Sequence, residues 1–174
     1  MPFGENIYSG KRMRLEKWAL IAEIASAIAV VLSLLFVGLQ VRLGAEETAI
    51  NTAAIRSSAY QELQTQIANL QVVLIENPEL RSVVGRIVFD GQEAESADQE
   101  TLAEAWLRLV FRHGEIAYMR YRDGLIDETE LQSVMGPVRG NFGSSYARDQ
   151  WTGLSRLLNP DYVAYVNERI LGTD

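Results

Sequence analysis

The chain has 174 residues, of which 48% are hydrophobic and 22% are charged, which suits one modest folded domain plus an anchor and argues against general disorder. It contains no cysteine, which excludes disulfides, thiolate metal sites and thiol catalysis. Residues 1–40 hold four basic and three acidic residues, a net charge of +1. The rest of the chain therefore has a net charge of −8, and the whole chain has −7. Because an acidic surface repels phosphate backbones, we expect no nucleic-acid partner.

An apolar run from Trp18 to Gln40 is the strongest signal in the sequence. It has 23 residues, with Glu23 as the only charge. A helix of this length extends roughly 35 Å, compared with about 30 Å for the hydrocarbon core of a bilayer. We predict a transmembrane helix over residues 18–40. A long buried helix in a soluble protein is the alternative, although such helices rarely lack polar residues over this length.

A basic segment, residues 1–17, precedes the apolar run and sets the predicted orientation. Four basic residues precede the run, whereas only Arg42 and Arg56 follow it closely. The positive-inside rule places the N-terminus in the cytoplasm and residues 41–174 in the periplasm of a bacterial inner-membrane protein. A cleaved signal peptide is the alternative. Its apolar core would have only about 7–15 residues, with an A-x-A-like site after it, so we predict an uncleaved, single-pass anchor in the lipid bilayer.

Small residues recur along one stripe of this predicted span. Glu23 lies beside Ser26 on a helical wheel, roughly 9 Å from the bilayer midplane and towards the cytoplasmic end. Small residues let two membrane helices approach closely. We therefore predict self-association, or contact with a membrane-complex partner, through Ala22, Glu23, Ser26, Ala29 and Ser33. The alternatives are that alanine and serine are merely common in spans, or that Glu23 lines a conducting path.

Residues 41–76 predict an amphipathic helical extension of the span. The stretch contains one glycine, Gly44, and no proline. Apolar residues alternate at spacings of three and four to form a seam, at Tyr60, Leu63, Ile67, Leu70 and Leu74. The seam fits either a short coiled coil between chains or packing within this chain. We favour the second, because three good heptads are not present.

Residues 77–174 predict a small, acidic, helical domain. Four further helices are indicated by their start signals, at Asn77-Pro78, at Ser96 with Gln99, at Asp127 with Glu130 and at Asn159-Pro160. Gly124 is expected to end the second of them. No stretch has the alternation typical of strands, and the predicted fold class is all-α.

Several segments together resemble a known group of proteins. They are "IAEIASAIAVVLSLLFVGLQVR", then "NT" and "AY" on the next helix, "ENPEL", and "AYMRYRDGLID". The chain is similar to a group of short bacterial single-span membrane proteins of unknown function. The resemblance covers most of the chain and implies the topology described above. It implies no activity and no catalytic residue.

The stretch "MRYRDGLIDETEL" invites comparison with a calcium-binding EF-hand loop. Placing Gly124 sixth puts Glu130 twelfth, as that loop requires, but Met119 and Tyr121 then occupy the first and third ligand positions. Neither supplies a carboxylate. We predict a helical hairpin with a glycine C-cap and an aspartate N-cap, and no metal site.

The single histidine, His113, is the obvious candidate for a general base. Glu115 points about 200° away from it on a helix and pairs more naturally with Arg112, as a surface ion pair. No nucleophile is in view, so we expect a solvated or hydrogen-bonded structural histidine.

The glycine-rich stretch 136–151 is the remaining candidate for chemistry. It lacks the phosphate-binding spacing GxxxxGK[ST], and neither Ser144 nor Ser145 lies in a G-x-S-x-G motif. We interpret it as a flexible connection between helices. The nearby aromatic residues are expected in the core, at Phe142, Tyr146, Trp151, Tyr162 and Tyr165.

These observations favour a membrane-anchored helical interaction or scaffold module without a cofactor. An oligomeric ion- or proton-conducting protein that uses Glu23 is the second hypothesis. An enzyme, for example a hydrolase, is the third and the weakest, because no catalytic constellation is visible.

Overall fold

The computed structural model describes residues 6–173, with side chains from residue 15 onward. Part of the predicted basic segment 1–17 is therefore outside the described residues, namely residues 1–5 and the side chains of Lys11, Arg12 and Arg14. Asp174 is outside them as well. Between residues 6 and 173 every regular element is a helix, so the fold is all-α, as predicted.

The first helix, α1, runs from Asn6 to Glu76, a length of 71 residues. It continues without a break through Gly44. The chain divides into two compact units after Thr52. The first contains the long apolar part of α1, and the second begins at Ala53 and contains the last part of α1 together with every later helix. The last 24 residues of the predicted extension 41–76 thus belong to the same compact unit as the predicted domain 77–174.

Helix α2, Pro78–Val83, follows after one residue. The Asn77 side chain accepts the N–H of Leu80 at 3.0 Å, and Pro78 occupies the first turn, as the sequence predicted. The chain continues into a π-helical segment, Val84–Phe89. Gly91 then adopts a φ of 67°, in the loop that leads to the next helix.

Helix α3, Ala97–Arg122, is the longest helix after α1. The Ser96 hydroxyl caps its start by accepting the N–H of Gln99. The Gln99 side chain turns to the N–H of Glu95 instead of that of Ser96, so only half of the predicted capping box forms. At the other end Gly124 has a φ of 72°, and the Leu125 N–H reaches the Arg120 carbonyl, which forms the predicted glycine C-cap.

Four short helices complete the fold. They are α4 (Glu128–Val134), α5 (Gly136–Phe142), α6 (Ser145–Leu154) and α7 (Pro160–Val166), and a second π-helical segment, Asn167–Leu171, follows α7. The predicted caps at Asp127 and Asn159 both form. Asp127 and Glu130 make a complete capping box.

The predicted flexible connection over residues 136–151 is wrong, because α5 and most of α6 occupy it. Pro137 lies in the first turn of α5, where its missing N–H costs nothing. Ser144 caps α6 by accepting the N–H of Ala147 at 3.1 Å. The stretch contains its own start signals, and these outweigh the helix-weakening effect of its glycines.

The core of the second unit is built around α3. Leu107, Val110 and Phe111 on α3 are fully or almost fully buried. Phe111 stacks on Phe142 with ring centroids 4.8 Å apart, and Trp151 meets both rings edge-on. The buried Trp106 indole donates to the Asn141 side chain at 3.1 Å. Every residue of this core lies at or after position 59.

One glycine allows α7 to approach α3. A Cβ on Gly114 would overlap the Tyr162 hydroxyl and lie 2.6 Å from a Val138 methyl group. Tyr162 is fully buried, and its hydroxyl has no hydrogen-bond partner among the described residues. The absence of a side chain at position 114 therefore makes room for the tyrosine ring.

Candidate functional site

The apolar segment 18–40 of α1 is exposed along its whole length. Its large side chains, from Trp18 to Leu39, are not covered by any other described residue. Solvating so much apolar surface in water is unfavourable by about 25 cal/mol for each Å². By length and composition this helix could cross a membrane.

The residues predicted to form helix–helix contacts all lie on this segment. Each of the five is exposed, and Glu23 has no ion-pair partner among the described side chains. The structure brings no other part of the described chain to them. Their contact with a second helix stays a prediction, and the residues are Ala22, Glu23, Ser26, Ala29 and Ser33.

The predicted amphipathic seam lies in the second unit and packs on its core. Leu63 is fully buried, and the other seam residues, Tyr60, Ile67, Leu70 and Leu74, are partly buried against the core. The favoured interpretation, packing within the chain, describes this arrangement. A coiled coil between chains would need the same side chains, which already pack against the core of their own chain.

A cation on α3 holds the last part of α1 in place. The Arg120 guanidinium donates to the Ala59 carbonyl at 2.8 Å and to the Glu62 carboxylate at 2.7 Å. The bond to a carbonyl beside the core fixes the helix in register. The Tyr60 hydroxyl also lies 3.4 Å from the Ser133 hydroxyl on α4. No sequence signal identified Arg120, because its partners are about 60 residues away.

An open apolar groove of about 310 Å³ lies between α1 and α3. Its walls are mainly apolar side chains, with Leu70 and Val73 on one side and Leu109 and Ile116 on the other. Leu109 is 53% exposed and Val73 is 43% exposed. Large apolar side chains are usually covered by other residues. Because these are exposed, the groove is a candidate contact surface.

His113 lies at the floor of this groove and joins three helices. Its Nε2 is 3.0 Å from the Val134 carbonyl of α4, and its Nδ1 is 3.2 Å from the Gln66 side chain of α1. Burial lowers the pKa of His113, and the hydrogen bond to Val134 opposes that shift only in part. Both nitrogens are engaged, which makes it the hydrogen-bonded structural histidine that was one of the two expectations.

Glu115 differs from its predicted role as half of a surface pair. It does pair with Arg112, but it is only 8% exposed and also accepts the backbone N–H of Asn159. The carboxylate therefore links α3 to the start of α7. The partner lies 44 residues away, so the three-residue spacing to Arg112 could not reveal it.

Three tyrosines of the second unit are poorly suited to act as bases. Burial raises the pKa of Tyr118, Tyr146 and Tyr162, and the hydrogen bond to Glu100 adds to the rise at Tyr146. These phenols stay protonated at neutral pH. An open cavity of about 360 Å³ beside Tyr118 and Tyr165 is lined by residues of both charges, without a nucleophile paired to a base.

Two acidic side chains at the end of the hairpin between α3 and α4 are used in capping. Asp127 and Glu130, the nearest candidates for calcium ligands, bond to each other's backbone N–H groups at 2.8 and 2.9 Å. Within the described residues, no three histidine or carboxylate side chains are grouped so that they could hold a metal ion.

The aromatic residues near α5 and α6 divide into two groups. Phe142, Trp151 and Tyr162 are buried in the core, whereas Tyr146 and Tyr165 are partly exposed. Tyr146 and Tyr165 line different cavities and form no shared ligand platform. Comparison of the chain with family models, with curated proteins and with solved structures gives no match.

Proposed function

We propose that this chain is a membrane-anchored helical interaction module that self-associates or joins a larger membrane complex. The observation that carries the proposal is the apolar segment 18–40, whose side chains are uncovered over a length that suits a bilayer. Lipid is the medium that solvates such a helix, because all of its backbone groups are already hydrogen-bonded within it. The helical domain from residue 53 onward is then the part that meets partners.

The charge distribution supports one orientation and one location. The basic residues before the span favour a cytoplasmic N-terminus, which places the helical domain in the periplasm of a bacterial cell. The stripe from Ala22 to Ser33, which includes Glu23, supports association between spans. We assign no catalytic step to the protein, since the cavities of about 310 and 360 Å³ described above hold no nucleophile paired to a base.

Membrane fractionation and crosslinking test this proposal. We expect the full chain to float with lipid vesicles and to resist extraction by alkaline carbonate. A variant with Ile28→Arg and Val30→Arg should float much less, since each charge near the centre of a span costs about 2.5–3.5 kcal/mol. The matched control carries two arginines at exposed positions of the helical domain, Gln71→Arg and Thr101→Arg. It should float like the unmodified chain. A full chain that stays soluble would contradict the proposal.

An ion- or proton-conducting oligomer is the second candidate. Glu23 supports it, because a lone carboxylate in an apolar segment is a functional candidate by default. Conductance of planar bilayers that contain the purified chain would be measured, with Glu23→Gln as the variant and Glu16→Gln, which lies before the span, as its control. Conductance that is absent, or unaltered by Glu23→Gln, would remove this candidate.

A further inference from the structure

A cavity of about 360 Å³ in the second unit lies among α3, α4 and α7, and three tyrosines line it. Tyr118 and Tyr121 belong to α3, and Tyr165 belongs to α7. Tyr118 is the central ring, and its centroid lies 6.5 Å from that of Tyr121 and 5.0 Å from that of Tyr165. All three side chains are partly buried. We call this space the tyrosine cavity.

The shape and size of the tyrosine cavity suit a small ligand. Its rings are tilted against one another by 48° and 35° instead of stacking flat. Leu131 and Ala164 add to the apolar lining, and the π-helical segment Asn167–Leu171 forms one edge. Short π-helical segments are rare and are frequently found at functional sites. The volume lies within the range of about 300–1,000 Å³ that is typical of small-molecule sites.

The charges around the tyrosine cavity leave room for one more positive charge. Among the described residues that line it are three carboxylates and one cation, namely Glu128, Asp161, Glu168 and Arg169. Arg122 adds a second positive charge, because it pairs with Asp161 at 3.0 Å. Three negative and two positive charges give a net charge of −1 at this place. A ligand with a single positive charge would balance it.

The chemistry of the lining decides between the kinds of cation. A hard metal ion needs six or more oxygen ligands, and within the part of the chain that the structure describes no three carboxylates are grouped closely enough to hold one. An ammonium or guanidinium group brings several N–H donors that need acceptors, whereas the carboxylates here are exposed at the rim. A quaternary ammonium group has no N–H to satisfy, and aromatic rings attract it through their negative faces.

We propose that the tyrosine cavity binds a quaternary ammonium group, such as that of choline, against the rings of Tyr118, Tyr121 and Tyr165. Glu128 supplies negative charge at the rim, since it has no ion-pair partner among the described side chains. The inference goes beyond the proposed membrane module and does not depend on it, because every residue of the site lies in the second unit.

Calorimetric titration of the full chain in a nonionic detergent tests the proposal, with choline as the probe. We expect saturable binding of one choline per chain. The matched control is the neutral isostere of choline, an alcohol of the same shape in which a carbon atom replaces the charged nitrogen. Because it lacks the attraction between a cation and the rings, it should bind about tenfold more weakly. Equal affinities for the two compounds, or no saturable binding of choline, would overturn the proposal.

Tyr165 provides a matched pair of variants that test the role of the ring. Tyr165→Leu keeps an apolar side chain but removes the ring, and we expect it to weaken choline binding about tenfold. Tyr165→Phe keeps the ring and should bind choline within about twofold of the unmodified chain. Both variants lose the contact of the hydroxyl with Gln132 at 3.3 Å, so the ring alone distinguishes them. Equal choline affinities in the two variants would contradict the proposal.

Glu128→Gln tests the charge at the rim without a change in the core, because Glu128 is exposed. It should weaken choline binding about threefold, as expected for an exposed ionic contact. Glu93→Gln, at an exposed carboxylate that does not line this cavity, should leave the affinity unchanged. Circular dichroism shows whether each variant is folded. If Tyr165→Leu does not fold, an unchanged choline affinity in Glu128→Gln would overturn the proposal by itself.

Glycerophosphocholine, the soluble headgroup of a choline lipid, distinguishes the two sources of such a ligand. Its phosphate would lie near Glu128 and Glu168, which repel it. We therefore expect it to bind more weakly than choline, which supports a free quaternary amine as the ligand. Binding at least as tight as that of choline would support a lipid headgroup in the same cavity. Binding of glycerophosphocholine that Tyr165→Leu does not weaken would count against the ring contact for either source.

Discussion

At the scale of single residues, Gly114 has the closest neighbours of any described glycine, and the nearest of them is Tyr162. The tyrosine ring occupies the space that a side chain at position 114 would fill, and its hydroxyl has no partner among the described residues. Two opposite expectations follow for the two sides of this contact. An added methyl group should be costly, and a removed hydroxyl should not.

Gly114→Ala should destabilise the domain by about 1–3 kcal/mol, the usual range for overpacking a core. Tyr162→Phe should change stability by less than about 1 kcal/mol, because it removes a buried hydroxyl that has no described partner. Denaturant unfolding of the full chain in detergent would measure both. In the double variant the cost of Gly114→Ala should fall, since the overlapping oxygen is gone. A large loss in Tyr162→Phe alone would show that the hydroxyl has a stabilising partner.

The second residue with a testable consequence is His113. Burial lowers its pKa in the folded state, so the unfolded chain takes up the proton first as the pH falls through about 6.5. Stability from this group is complete above that pH and is lost below it, by at most about 1.4 kcal/mol per pH unit. His113→Gln should flatten the dependence between pH 5 and 7, because the chain has no other histidine. Urea midpoints at several pH values provide the measurement, and an unchanged slope in the variant would contradict the assignment.

At the scale of helices, caps explain where most elements begin. Asp127 and Glu130 form a reciprocal box at the start of α4, which has only seven residues and would not be stable in isolation. Asp127→Ala should therefore destabilise the domain by about 1 kcal/mol. Glu128→Ala, in the same first turn but outside the box, removes only a favourable charge and should cost a few tenths of a kcal/mol. Thermal unfolding of the two variants would show the difference, and equal losses would argue against the box.

Local signals explain what the sequence could reveal at this scale. Asn77, Asp127 and Asn159 cap helices through atoms within three residues, so reading along the chain finds them. Ser144 carries the same signal, but the three glycines nearby favour a loop in a reading of the sequence alone. Glu115 and Arg120 act on partners 44 to 61 residues away, which only the folded chain brings together. Burial of Glu115 was unpredictable for that physical reason.

At the scale of the whole molecule, the division of the chain after Thr52 predicts that the second unit folds without the first. All core residues lie at or after position 59, so a fragment of residues 53–174 should unfold cooperatively by itself. It should stay in solution without detergent, since the apolar segment is absent. Circular dichroism and sedimentation would test both expectations, with the full chain as the control. A fragment that aggregates would show that residues before 53 protect the domain.

The order of synthesis determines when the core can close, because α7 is made last. Tyr162, on the last short helix, fills the space beside Gly114, and Glu115 holds the N–H of Asn159. Helices of seven to ten residues are marginal in isolation even when they are capped, so we expect α4 to α7 to become stable only when they pack on the core. At about 5–20 residues per second, roughly ten seconds separate synthesis of the apolar segment from that of Tyr162. The apolar segment thus leaves the ribosome while the domain is still open, and a chain interrupted before α7 would remain sensitive to proteases.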